Sequence, residues 1–501
     1  AITGINAIPV IAEVDTVNGF LTFNVVGLPD NAVKESRDRI KSAIRNSNLE
    51  FPEKAVTINL APAGIKKEGA AFDLAIATGI ICNLGMIEEG AAAGYIIMGE
   101  LSLTGKIRPV KGVLSAAIMA KTRGFKGLLI PCENTKEAAV IKDISVFGID
   151  SLLELIEFLN GEKQIPATVS DYKDLLSGIN KYSIDFNEVK GQYLAKRALE
   201  VAAAGGHNIL MVGPPGAGKT MLAKRVPSIL PSLTLEEAIQ STQVHSVMGL
   251  LEPSSGLMKT RPYRSPHHSI SDVGLIGGGV IPRPGEVTLA HNGVLFLDEI
   301  PEFRRNVLEV LRQPLEDGII TIARAFGAFT YPARFMLIGA MNPCPCGYLH
   351  DPKHECTCTI PQIVRYKGKL SGPLMDRIDI QINVKAIEYS DICKDAPSEN
   401  SDVIRKRVNS AREVSLQRLT GAGIFSNAAM NKKLINKYCF LDKGAEAILK
   451  NAFENIGFSV RAVDKVLKVS RTIADLAGSE KIKEEHVSEA IQYRLLDRDG
   501  Y

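Results

Sequence analysis

The 501-residue chain is long enough for two to four domains of ~100–200 residues, and its 45% hydrophobic and 23% charged residues exclude a disordered or fibrous protein. A formal charge of +3 is too close to neutral to argue by itself for nucleic acid or an anionic membrane, so any polyanion contact has to come from local patches. No run approaches the ~20 apolar residues that span a bilayer and the opening AITGINAIPV lacks the regions of a secretory signal, so no membrane partner and a cytoplasmic location are expected. The first residue is Ala1 rather than Met, and a few N-terminal residues are expected to be missing.

Residues 1–160 mix strand-like alternation (AVTINLAP, GYIIMGELSL, GLLIPC) with helical stretches (DNAVKESRDRIKSAIRNS, FDLAIATGIICNLG, VLSAAIMAKTRG), which predicts an α+β domain. The polar segment 161–184, with KQIPATVSDYKDLLSG, predicts a linker. Over 185–388 short apolar runs alternate with helices: HNILMVG, a helix after Gly218, GVLFLDE, a helix RRNVLEVLRQPLED, then ARFMLIGAMN. That order predicts an α/β core with a parallel sheet and helices on both faces. From 389 to 501 the periodicity is helical (ENSDVIRKRVNSAREVSLQRL, KGAEAILKNAFENIG, SVRAVDKVLKVSRTIADLAG, KEEHVSEAIQYRLL), which predicts an all-α domain.

Within the α/β segment, Gly213, Pro214, Pro215, Gly216, Ala217, Gly218, Lys219 and Thr220 match G-x-x-x-x-G-K-[ST] between a strand and a helix that continues with Met221. Glycines let backbone N–H groups close on the phosphates of ATP, Lys219 neutralises β- and γ-phosphate charge, and Thr220 is suited to ligate Mg²⁺. Farther on, the apolar run 293–297 ends in Asp298 and Glu299. Asp298 is the second candidate for Mg²⁺, and Glu299 the candidate general base for the attacking water. A third strand ends at Asn342, whose amide is suited to orient water near the γ-phosphate.

Cys344, Cys346, Cys356 and Cys358 form two close pairs, while Cys82, Cys132, Cys393 and Cys439 are scattered. That distribution suits a metal site in a reducing compartment better than a disulfide framework. Thiolates in two pairs suit a structural, tetrahedral Zn²⁺. His350 and His354 lie between the pairs and are alternatives for one ligand. Two basic, turn-rich stretches are candidates for DNA contact: the loop with Arg261, Arg264, His267 and His268, and the hairpin-like 318–335 with Arg324 near its tip. An ordinary solvated surface loop is the alternative for each.

Taken with VGLPDNAVKESRDRI, RPYRSPHHSISDVGLIGGG, PGEVTLAHNGVLFLDEIPEF, MNPCPCG and LSGPLMDRIDI, these motifs make the chain resemble the ComM/YifB family of magnesium-chelatase-like AAA+ ATPases over nearly its whole length. The resemblance implies that Asn342 is a sensor-1 residue, Arg377 an arginine finger reaching a neighbouring subunit, and Arg461 a sensor-2 residue. It also implies a homo-hexameric ring, a helical C-terminal lid, and DNA helicase activity driving branch migration in recombination during natural transformation. A protein-remodelling or metal-insertion chaperone, as in the magnesium chelatase I subunit, is the alternative. The N-terminal segment is similar to the Lon-protease-like fold (ribosomal protein S5 domain 2-like) through KEGAAFD and MGELSLTGKIRP. The positions matching Lon's nucleophilic Ser and its Lys are here Ala71 and Ala116, so peptide hydrolysis by that dyad is not expected.

Overall fold

The computed structural model describes residues 1–20, 22–170, 182–252, 255–279, 282–324, 327–386, 399–456 and 458–494. Residues 171–181 of the expected linker, and 389–398 and 495–501 of the expected C-terminal domain, lie outside the described residues. The chain divides into two compact units, Ala1–Ile179 with Thr234–Lys259, and Asn180–Leu233 with Thr260–Tyr501. Among the described residues no helix is long and apolar enough to cross a membrane.

The first unit is α+β. In Ala55–Ala61 the period of two buries Val56, Ile58 and Leu60. This strand pairs antiparallel with Ile11–Val17 and parallel with Phe23–Val26. Helices Asn31–Asn46 and Asp73–Asn83 give Ile40, Ile44, Leu74 and Ile80 to the same core. A second sheet is parallel throughout, with Gly127–Pro131 between Ser145–Ile149 and Tyr95–Ile97. Against it pack Val113–Arg123 and Ile239 of the helix Leu235–Met248. The latter helix starts in a reciprocal cap: Thr234 Oγ1 accepts from Glu237 N–H at 3.2 Å, and the Glu237 carboxylate accepts from Thr234 N–H at 3.0 Å.

The second unit is built on a five-stranded parallel sheet in the order Tyr263–Arg264, Val294–Leu297, Met336–Met341, Ile209–Val212, Ile380–Asn383. The three inner strands are buried along their whole length. That is why they read as unbroken apolar runs: helices cover both faces of a parallel sheet and leave no wet side. The C-terminal segment is helical (Ser401–Leu419, Lys443–Ile456, Val460–Leu476, Glu484–Gln492) and shares the core of the sheet through Val408, Val466, Val469 and Ile473. The expected single helix RRNVLEVLRQPLED is instead two, Arg305–Glu309 and Arg312–Asp317. The ring of Pro314 would meet the carbonyl of Val310 in a continuous helix, and the first helix ends just before that residue.

Candidate functional site

The phosphate-loop motif leaves the strand Ile209–Val212 and enters the helix Lys219–Arg225. Gly216 and Gly218 sit at φ +74° and +86°, a left-handed region where a side chain is strained, so this reversal of the chain requires glycine. Lys219 folds back over the loop: Nζ donates to Gly213 O at 2.7 Å, Pro214 O at 2.9 Å and Asn342 Oδ1 at 3.1 Å. Burial lowers its pKa, while the charges of Asp298 and Glu299 act in the opposite direction. Thr220 Oγ1 donates to Asp298 Oδ2 at 2.6 Å.

Parallel registry explains this convergence. Val212 lies beside Met341 and Leu297 beside Gly339, so the residues that follow these three strands emerge at one edge of the sheet. In open α/β sheets that carboxyl edge, where strand order reverses, is where ligands bind. Glu299 is exposed, in the left-handed region at φ +49°, with its amide donating to Asp298 Oδ1 at 3.0 Å. A non-glycine residue held there carries strain of order 1 kcal/mol, a cost found mainly at functional sites.

The structure brings Lys219, Thr220, Asp298, Glu299 and Asn342 together and ties the other candidates elsewhere. Arg377 is paired with Glu316 and donates through Nη1 to Pro373 O at 2.6 Å. Arg461, 74% exposed at the start of Val460–Leu476, meets Asp376 at 3.4 Å. Arg264 forms a two-pronged pair with Glu286 at 2.6 and 2.7 Å, and Arg261 donates to the carbonyls of Pro231, Ser232 and Asn292. Both are thus engaged within the fold. The rings of His267 and His268 lie 4.0 Å apart between centroids, tilted by 35°, His267 being exposed. Arg324, also exposed, ends the strand Ile319–Arg324 and donates to Gly279 O at 3.3 Å, so the hairpin leans on the glycine-rich stretch 277–279. Ala71 lies in the turn Ala70–Phe72 and Ala116 is buried in Val113–Arg123, two methyl groups at the positions compared with the Lon dyad.

The four clustered cysteines converge. Cys344 and Cys346 sulfurs are 3.3 Å apart, Cys344 and Cys356 3.7 Å, Cys346 and Cys356 3.6 Å, and all four lie within 4.8 Å of one another. A tetrahedron with ~2.3 Å Zn–S bonds has sulfur edges of about 3.8 Å, so these positions fit zinc. The backbone amide of Tyr348 is the main cause that holds the Cys346 thiol down at about 6. The Cys358 amide lowers Cys356 too, but burial and the sulfurs of Cys346 and Cys344 push it up to about 12. Such splitting reflects like charges crowded together, which a cation relieves. His354 bonds to Asp351 at 3.3 Å and meets the Tyr348 ring at a 35° tilt, and neither it nor His350 belongs to the convergent set.

Two neighbours of the site escaped the sequence reading. Tyr263, in the loop singled out for its arginines and histidines, stacks on Phe296, and burial and the charge of Asp298 raise its phenol pKa. Tyr366, in the helix Ile360–Lys367, faces the backbone of Asn342 and is pushed up to about 12 mainly by burial. Tyr263 stands in RPYRSPHHSISDVGLIGGG, but neither motif nor spacing announces that the fold sets these tyrosines beside Phe296 and Asn342.

Three family models match: magnesium chelatase, subunit ChlI, over residues 185–392; subunit ChlI of Mg-chelatase over 12–134; and the magnesium chelatase subunit ChlI C-terminal model over 398–494. Competence protein ComM of Haemophilus influenzae is 43% identical over 499 residues, covering 99% of this chain and 96% of that protein. YifB of Escherichia coli is 41% identical over 499 residues with the same coverage of each. Lon protease 2 of Bacillus subtilis is 30% identical over 189 residues, 32% of this chain and 33% of that protein.

Proposed function

Since the chain belongs to the ComM/YifB family of magnesium-chelatase-like AAA+ ATPases, we propose that it is a ring-forming, ATP-driven motor on DNA that promotes branch migration in recombination during natural transformation. The observation that carries the reading is the convergence of Lys219, Thr220, Asp298 and Asn342 at the carboxyl edge of a parallel sheet. In this reading the amides of 213–220 and the Lys219 ammonium grip the β- and γ-phosphates, with Met221 continuing the contact, and Thr220 and Asp298 hold the accompanying Mg²⁺. Glu299 accepts the proton of the attacking water, and Asn342 orients that water. Arg377 of one subunit exchanges Glu316 for the γ-phosphate of its neighbour, and Arg461 reads the same nucleotide from the C-terminal helices. The four cysteines hold zinc. The competence role named for the Haemophilus relative supports DNA as the partner, as do the exposed Arg324 and His267.

The test is ATP hydrolysis and strand displacement on forked and four-way DNA, with Glu299→Gln as control. Stimulation of hydrolysis by branched DNA, with unwinding lost in the control, is expected. Hydrolysis indifferent to every DNA but stimulated by a protein partner would move the assignment to a remodelling ATPase. Because phosphate contacts release counterions, the DNA stimulation is expected to fall steeply between about 50 and 200 mM salt.

A further inference from the structure

The cysteine loop is bound to the nucleotide site at both of its ends. It begins two residues after Asn342 with the buried Cys344. Three residues on, Gly347 sits at φ +89°, and a Cβ there would stand 2.6 Å from Pro215 Cδ and 3.9 Å from Asn342 Cγ. The loop backbone therefore lies directly against the phosphate loop and the amide that accepts from Lys219. At its far end Cys358 is followed by Thr359, which caps the helix Ile360–Lys367, Thr359 N–H donating to Gln362 Oε1 at 2.8 Å. Tyr366 of that helix returns to the backbone of Asn342.

Among the described residues, the hydrogen bonds between 344–347 and 356–358 run through sulfur: Cys344 with Cys356, Cys346 with Cys356, and Cys346 N–H to Cys358 Sγ at 3.3 Å. What joins the two ends is thus the thiol cluster, and a thiophilic divalent cation at its centre replaces weak S–H contacts with metal–sulfur bonds.

We propose that the tetrathiolate zinc centre is a positioning element of the ATP site: by clamping the loop ends it seats Pro215 and Asn342, so that metal occupancy sets the rate of ATP turnover more than the affinity for ATP. The inference rests on the ATPase reading above. The grip on phosphate comes from Lys219 and the glycine turns, and two of the three Lys219 contacts are to Gly213 and Pro214. The Asn342 amide, by contrast, is fixed by what surrounds it, and misplacement of an orienting group by ~1 Å costs ~100-fold in rate.

The full chain and two variants test this. Cys356→Ser/Cys358→Ser removes two thiols; Gly347→Ala keeps all four and pushes a methyl at Pro215. Elemental analysis, Co²⁺ substitution read by its sulfur-to-metal charge-transfer absorption, binding of a fluorescent ATP analogue, and steady-state hydrolysis are measured on each. The unaltered chain is expected to hold one zinc and to give the tetrahedral thiolate Co²⁺ spectrum. The cysteine variant should hold none, bind the analogue within ~3-fold of the unaltered chain, and turn over ~10- to 100-fold more slowly. Gly347→Ala should keep zinc and the Co²⁺ spectrum yet lose turnover by a similar factor. If the cysteine variant is insoluble, Gly347→Ala and a titration of turnover with Zn²⁺ after mercurial release decide between the outcomes. Full turnover in metal-free protein, or in Gly347→Ala, overturns the proposal. Zinc-loaded protein that hydrolyses no ATP, with or without DNA, overturns instead the ATPase reading beneath it.

Discussion

At the scale of single residues, Lys219 and Glu299 divide the work of the proposed site, and their substitutions should differ in kind. Lys219→Ala removes the cation that touches three acceptors around the phosphate loop, and ATP binding is expected to fall below detection by equilibrium titration. Glu299→Gln keeps the size and the left-handed backbone but not the base; binding should persist while hydrolysis drops by ~10²–10⁴. Equal loss of binding in both would refute this division. The loop, the acids and Asn342 were legible in the sequence because each stands at the end of a short apolar strand. Arg264 was not: its partner Glu286 lies 22 residues on, and nothing in local spacing announces that a basic residue is already paired.

Elements are joined by a buried polar network whose pairing no motif announces, although Asp379 itself stands in LSGPLMDRIDI. His207, just before the strand Ile209–Val212, bonds through Nδ1 to Asp379 at 3.3 Å and through Nε2 to Thr472 at 2.8 Å, linking two parallel strands to the helix Val460–Leu476. Burial would raise the Asp379 pKa, but His207, Lys465 and Lys468 outweigh it and hold the carboxyl at about 2. A carboxylate depressed from its free value of ~3.9 stabilises the fold above that value and loses its effect as pH falls through the depressed one. Asp379→Asn should therefore cost ~2–3 kcal/mol in urea unfolding at pH 7, a penalty that shrinks between about pH 4 and pH 2. Periodicity predicted the long C-terminal helices but not where Pro314 divides its segment, because a proline breaks a helix through a carbonyl four residues earlier. The helix Leu235–Met248 went unnoticed, although Thr234 and Glu237 spell its cap.

For the molecule as a whole, the ring reading makes a prediction that one subunit cannot satisfy. Arg377→Ala and Lys219→Ala proteins should each be inactive. If the finger serves a neighbour's nucleotide, mixed rings bring an intact finger to an intact phosphate loop, and partial hydrolysis should return on mixing and subunit exchange. No recovery at any ratio would confine Arg377 to its own chain, where Glu316 already holds it. The α+β, parallel-sheet and helical thirds were readable from the order of elements, but the path between units was not. The chain quits the second unit at Leu233, runs through Thr234–Lys259 in the first, and returns at Thr260. A gene fragment starting near residue 185 would carry this excursion without its hosts: Gln243, which donates to Ile5 O, Ser246, which accepts from Gly112 N–H, and the apolar Ile239 would all lose their cover. Such a truncation should express as a sticky, poorly soluble product, and splicing a short polar bridge across 234–259 should cure it.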